Sequence, residues 1–139
     1  MSLASEGGLN KAVEGSISIV FLKDPTDAKW RSDAAMKLYR SIMTRFAPGA
    51  NQKDVDHVYG MAVAYELVKV LRAAGANPTR ASVMAQTRKL TDPSNPFLLP
   101  GLTVETSATD RFPIEQAQLQ RWSKGRWASF GGLWEYRAG

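Results

Sequence analysis

The sequence predicts a mixed α/β fold in which one strand precedes three helices and a small, mostly antiparallel sheet follows them. Three observations lead there. Residues 54–75 carry apolar side chains at helical spacing. Residues 16–22 and 102–130 are β-branched, aromatic and partly alternating. Strands and helices do not alternate as βαβ units, so the few strands cannot form a self-contained parallel core.

The first strand is Ser16 to Leu22, where Ile17, Ile19, Val20 and Phe21 supply β propensity. It runs into Lys23-Asp24-Pro25-Thr26-Asp27, a turn in which proline fixes φ and the aspartates bond nearby backbone N–H groups. A helix is expected over 30–47, with Ser32 or Asp33 as its cap and Met36, Tyr39, Met43 and Phe46 as its stripe, widened by Leu38 and Ile42. Pro48-Gly49 ends it.

The central helix, 54–74, is the spine. Asp54 or Asp56 can cap its start, Arg72 complements the dipole at its end, and Gly75 suits an αL stop. Its Glu66, Lys69 and Arg72 fall in one sector and are expected to be a solvated face. Tyr59, Met61, Val63, Ala64, Leu67, Val68, Val70, Leu71 and Ala74 cover more than half of the circumference. Gly60 lies on that apolar face, where it lowers helix propensity by about 1 kcal/mol against alanine, and close approach of another backbone would explain it. A third helix is expected at 79–90, opened by Asn77-Pro78-Thr79.

Beyond Asp92-Pro93-Ser94-Asn95-Pro96 the pattern turns extended, with strands at 102–106, 114–122 and 126–130. The last two are joined at Ser123-Lys124-Gly125, a hairpin length at which glycine accommodates positive φ. Residues 1–14 read as a leader, Met1-Ser2-Leu3, and a flexible lead-in, and 132–139 as a tail.

Composition bounds the chemistry. The 139 residues are 44% apolar and suffice for a modest core. Zero cysteines exclude thiolate metal sites and cysteine nucleophiles, and one histidine, His57, leaves little for a triad or a metal. No catalytic residue, cofactor or metal is expected. The chain shows no stretch of about 20 apolar residues and no signal-peptide pattern. A net charge of +5 with scattered basic residues reads as a solvated surface. Arg121-Trp122-Ser123-Lys124-Gly125-Arg126-Trp127 does combine basic and aromatic residues as single-strand binders do, but in a hairpin the tryptophans can pack while the charges face water. The alternative function is therefore a self-associating interaction module whose hairpin binds nucleic acid or an acidic partner.

Three stretches together resemble the C-terminal part of the extracellular ligand-binding receptors, the periplasmic solute-binding proteins of branched-chain amino-acid-type ABC transporters. They are GSISIVFLKDPTDAKW at 15–30, VYGMAVAYELVKVLRAAG with TRASVM at 58–84, and LLPGLTVETSATDRFPIEQAQLQRWSKGRW at 98–127. The resemblance implies a fragment, over 15–131, of a two-lobed periplasmic-binding-protein type I fold. It implies a parent that captures a branched-chain amino acid or a related small carboxylated solute in the periplasm and delivers it to a membrane permease, without nucleic acid as partner. Carried onto this chain, it places a hinge at Phe21, Leu22, Lys23, Asp24 and Pro25, and ligand contacts at Asp56, His57 and Tyr59. The family segments that supply most contacts to the α-carboxylate and α-amino groups precede this region, so the isolated chain is expected not to bind ligand. Missing lobe sheets would leave the spine uncovered, and a homo-oligomer with Tyr59, Val63, Leu67 and Val70 at its interface is expected to complete the fold.

Overall fold

The computed structural model describes residues 12–136; the expected leader and most of the lead-in, up to residue 11, and the last three residues of the expected tail lie outside the described residues. The chain divides into two compact units. One is Leu22–Ile114, and the other joins the described residues up to Phe21 to those from Glu115 onward.

The Leu22–Ile114 unit is helical. A single 3-10 turn, Ala28–Trp30, precedes α1, Ala34–Phe46. The expected start at residue 30 is thus four residues early, because Asp33 is in extended conformation and its side chain accepts from the Met36 N–H at 3.0 Å, fixing the cap there. Along α1 the stripe Met36, Tyr39 and Met43 is buried, whereas Phe46 and Leu38 are exposed.

The spine is α2, Val55–Ala74, capped by Asp54, whose carboxylate accepts from the Asp56 N–H at 3.0 Å. Gly75 stops it with φ 92° and ψ −176°, a positive φ that suits glycine but with an extended ψ, so the stop is not the αL one expected. The third helix, α3, is shorter than expected, Arg80–Thr87. Thr79 and Ser82 form a reciprocal capping box at its start, and α3 packs against α2.

After α3 comes a two-residue strand that the sequence does not announce, β2, Thr91–Asp92. It pairs antiparallel with β3, Val104–Glu105, all that forms of the strand expected at 102–106. Between them Phe97, Leu98, Leu99 and Leu102 are buried together with Leu22, Val58, Ala62 and Val70. Leu22 bridges Leu98 in antiparallel fashion, and the Lys23 N–H donates to the Phe97 carbonyl at 3.0 Å.

In the second unit β1, Ile17–Val20, β4, Gln116–Ser123, and β5, Arg126–Glu135, form an antiparallel sheet in the order β1-β4-β5. The strand expected to end at Phe130 continues to Glu135, so residues 132–135 are strand rather than tail. A register shift explains this: Leu119 opposes Phe130 but Gln118 opposes Leu133. Gly131 and Gly132 are absorbed as a bulge, Gly131 at φ 68°, and its carbonyl accepts from Gln118 Nε2 at 3.0 Å.

Lys124 and Gly125 turn the hairpin, both at positive φ (51° and 78°), and Ser123 opposes Arg126 across the turn. Glu14 holds this tip, accepting from the Ser123 hydroxyl and the Lys124 N–H at 2.8 and 3.1 Å. Gly125→Ala, which puts a Cβ in the left-handed region, is expected to destabilise the sheet unit by about 1 kcal/mol, read as a lower denaturant midpoint at unchanged slope.

Candidate functional site

The residues that the resemblance assigns to a ligand sit in the first turns of α2. Asp56 and Tyr59 are exposed there and His57 is half-buried. The residues assigned to a hinge straddle the boundary between the two units, which falls between Phe21 and Leu22. Leu22 and Lys23 are buried, and Asp24 and Pro25 are half-buried. Lys23 Nζ pairs with Asp33 Oδ2 at 2.8 Å and lies 5.0 Å from the Trp30 ring centroid. One lysine thus ties the chain entering the helical unit to the cap of α1.

Of the three polar spine residues expected in water, Arg72 is exposed and two are not. Glu66 and Lys69, expected in water, line a polar seam between α2 and the loop after β2. Asn95, 7% exposed, donates through Nδ2 to the Ala62 carbonyl at 3.1 Å and to Glu66 Oε1 at 2.8 Å, and its Oδ1 accepts from the Phe97 N–H at 3.1 Å. Asp92, 1% exposed, takes Lys69 Nζ on Oδ2 at 2.6 Å and, on Oδ1, the Ser94 N–H and hydroxyl at 2.9 and 2.6 Å. Lys69 Nζ also lies 5.6 Å from the Tyr65 ring centroid, and that ring meets Phe97 edge-on at 6.4 Å.

Two carboxylates in so small a space are driven apart in acidity. Burial pushes Asp92 up, but Lys69, the Ser94 bonds and Glu66 outweigh it and hold the carboxyl at about 2. At Glu66 burial wins. Asn95 works against the rise, but the hydrogen bond and charge of Asp92 reinforce it, so the carboxyl lies above its ordinary value. The seam holds α2 to the loop after β2, with Lys69 its most exposed member.

Outside the seam α2 leaves Tyr59, Val63, Leu67, Val68 and Leu71 exposed. Of the four residues expected at an interface, Val70 alone is buried. It is 4% exposed, although at 100° per residue it falls between Tyr59 and Val63 around the helix. Gly60 does not accommodate a neighbouring backbone among the described residues either, since a Cβ there would meet none of their atoms within 4 Å.

At the hairpin, Trp122 and Trp127 oppose each other and pack edge-to-face, 5.3 Å between centroids at 75°, while Arg121, Lys124 and Arg126 are exposed. One indole presents its edge to the face of the other, and Trp122 is buried, so the pair packs within the hairpin. Among the described residues no group of three or more His, Cys, Asp or Glu could hold a metal ion, and no helix is long and apolar enough to cross a membrane.

Three helices with a small antiparallel sheet, in this order, match part of a periplasmic-binding-protein fold. The solved structure that carries the match is the crystal structure of a branched chain amino acid ABC transporter from Thermus thermophilus with bound valine. It aligns with a TM-score of 0.71 at 15% identity over 91% of this chain and 35% of its own. The chain therefore spans about a third of the length of that structure. Neither a family model nor a curated protein matches the sequence.

Proposed function

We propose that this chain is the C-terminal part of a non-enzymatic solute-binding protein of an ABC transporter, one that captures a branched-chain amino acid or a related small carboxylated solute in the periplasm for a membrane permease. The observation that carries this reading is the agreement of element order over 91% of the chain with a transporter solved with bound valine. On this reading, the end of α2 that carries Asp56, His57 and Tyr59 flanks the ligand. Phe21 to Pro25 serve as one crossing of the hinge, where the boundary between the two compact units also falls.

Calorimetry with valine, leucine and isoleucine tests this on two proteins. The complete gene product is expected to bind one of them with a Kd on the order of micromolar or tighter. The 139-residue chain is expected to bind none, because its described residues bring no anchored cation to the start of α2 for an α-carboxylate. Submicromolar binding by the chain alone, or no binding by the complete product, overturns the reading.

A further inference from the structure

We propose that Glu66 and Asp92 share a single proton, held on Glu66 and donated to the Asp92 carboxylate, and that this hydrogen bond is a pH-sensitive latch between α2 and the loop after β2. It goes beyond ligand capture and does not depend on it.

Geometry is the first support. The carboxyl of Glu66, on α2, and that of Asp92, on β2, meet at hydrogen-bond range. Glu66 Oε1 accepts from Asn95, but Oε2 is buried and, among the described residues, no N–H or hydroxyl donates to it. Ionised carboxylates can only accept, so a hydrogen bond between these two requires that one of them keep its proton.

Charge decides where the proton sits. The charged groups that face Glu66 are Asp92, from β2, and Lys69, from its own helix. Asn95, from the loop, is neutral, and α3, which also packs on α2, brings no charge to Glu66. Two carboxylates against one ammonium would leave a negative charge uncompensated at buried atoms, whereas one shared proton leaves the seam neutral. Asp92 has Lys69 and both donors of Ser94, so it is the one that stays ionised and Glu66 the one that keeps the proton. The opposite displacements of the two carboxyls from their ordinary values agree with this division.

The latch reaches farther than the pair. Asn95, which donates to Glu66, accepts from the Phe97 N–H through Oδ1, and the Phe97 carbonyl accepts from the Lys23 N–H. A run of hydrogen bonds thus leads from the shared proton to the point where the chain enters the helical unit. Asp92 takes up a second proton only at about pH 2, so the latch is closed from there upward. Because the folded value of Glu66 is raised, the latch opens as the pH rises through that value.

Carbon NMR and hydrogen exchange test the proposal. The δ-carbon of Glu66, assigned by its loss in Glu66→Gln, is followed from about pH 3 to 8. It is expected to titrate above the ordinary 4.5. In Asp92→Asn, whose side-chain amide can itself donate to Glu66, that titration is expected to move down. Protection of the Phe97 and Lys23 amides, corrected for intrinsic exchange, is expected to fall together by roughly tenfold across the wild-type Glu66 titration. It is expected to stay level in Glu66→Gln, which donates to Asp92 at every pH. A Glu66 that titrates at or below 4.5 overturns the proposal. So does a titration that Asp92→Asn leaves unmoved, or an exchange profile that Glu66→Gln leaves unchanged. None of these readouts involves an amino-acid ligand, so failure here is distinct from failure of ligand binding.

Discussion

Tyr39→Ala is expected to destabilise the helical unit by about 3–5 kcal/mol, the largest effect of any single change considered. Tyr39 is fully buried between Met36 and Met43 on α1, and its hydroxyl donates to the Gln52 carbonyl at 2.9 Å. That bond spans the connection from α1 to α2, so truncation both opens a ring-sized cavity and leaves a carbonyl of the connecting loop without its donor. Tyr39→Phe separates the two contributions. It keeps the ring and is expected to cost only about 1 kcal/mol, the net value of one hydrogen bond. Thermal melts followed by helical circular dichroism measure both; equal losses for Ala and Phe would show that packing of the ring contributes little.

Tyr39 also marks what the sequence makes legible. Its spacing from Met36 and Met43 announces a buried stripe, because helical periodicity is a local property. Local signals of the same kind foretold the caps: Asp33 and Asp54 each accept a hydrogen bond from an amide two or three residues on. The hairpin at Lys124-Gly125 was legible for a similar reason, since the positive φ there is a requirement of two residues and no more.

What was not legible is that Glu66 and Lys69 on α2 are held by partners. A helix apolar over more than half its circumference can turn either side inward, and polar residues on the remaining side argue for water only when no partner waits for them. The partners of Glu66 and Lys69 are Asn95 and Asp92, and Asn95 lies 29 residues beyond Glu66. They belong to a Pro-, Ser- and Asn-rich run that reads as an exposed turn. One clue was available: Phe97-Leu98-Leu99 follows that run directly, and three consecutive apolar residues beside a turn draw the turn's polar groups into the core with them. The two-residue β2 carries no alternation to detect, and Gly131-Gly132 reads as a strand end unless the bulge opposite Gln118 is known. The assignment of Asp56, His57 and Tyr59 to a ligand came from the resemblance alone, since nothing in those three residues specifies a ligand.

Asp92→Asn is expected to cost about 2 kcal/mol at pH 7, and its pH dependence identifies the cause. In the folded chain the Asp92 carboxyl is held at about 2 against a reference of 3.8, a difference that corresponds to roughly 2 kcal/mol. The folded value is depressed, so this stabilisation is fully present above pH 3.8 and is lost as the pH falls through 3.8 toward 2. Asparagine keeps an oxygen for the Ser94 N–H and hydroxyl but removes the charge that faces Lys69, so the stability difference between wild type and variant should shrink over that interval and vanish below about pH 2. In a melt at pH 7 the difference corresponds to roughly 8 °C for a chain of this size. Glu66 supplies the opposite sign. Its folded value is raised, so its proton favours the fold below its ordinary value of 4.5 and the advantage fades as the pH rises past it. Glu66→Gln keeps an acceptor for Asn95 and should therefore raise the melting temperature at pH 7, because burial and Asp92 both oppose the charged form of this carboxyl in the fold. If instead Asp92→Asn melts with wild type at pH 7 while Glu66→Gln melts lower, the charge in the seam is distributed the other way around, with Glu66 as the partner that Lys69 stabilises.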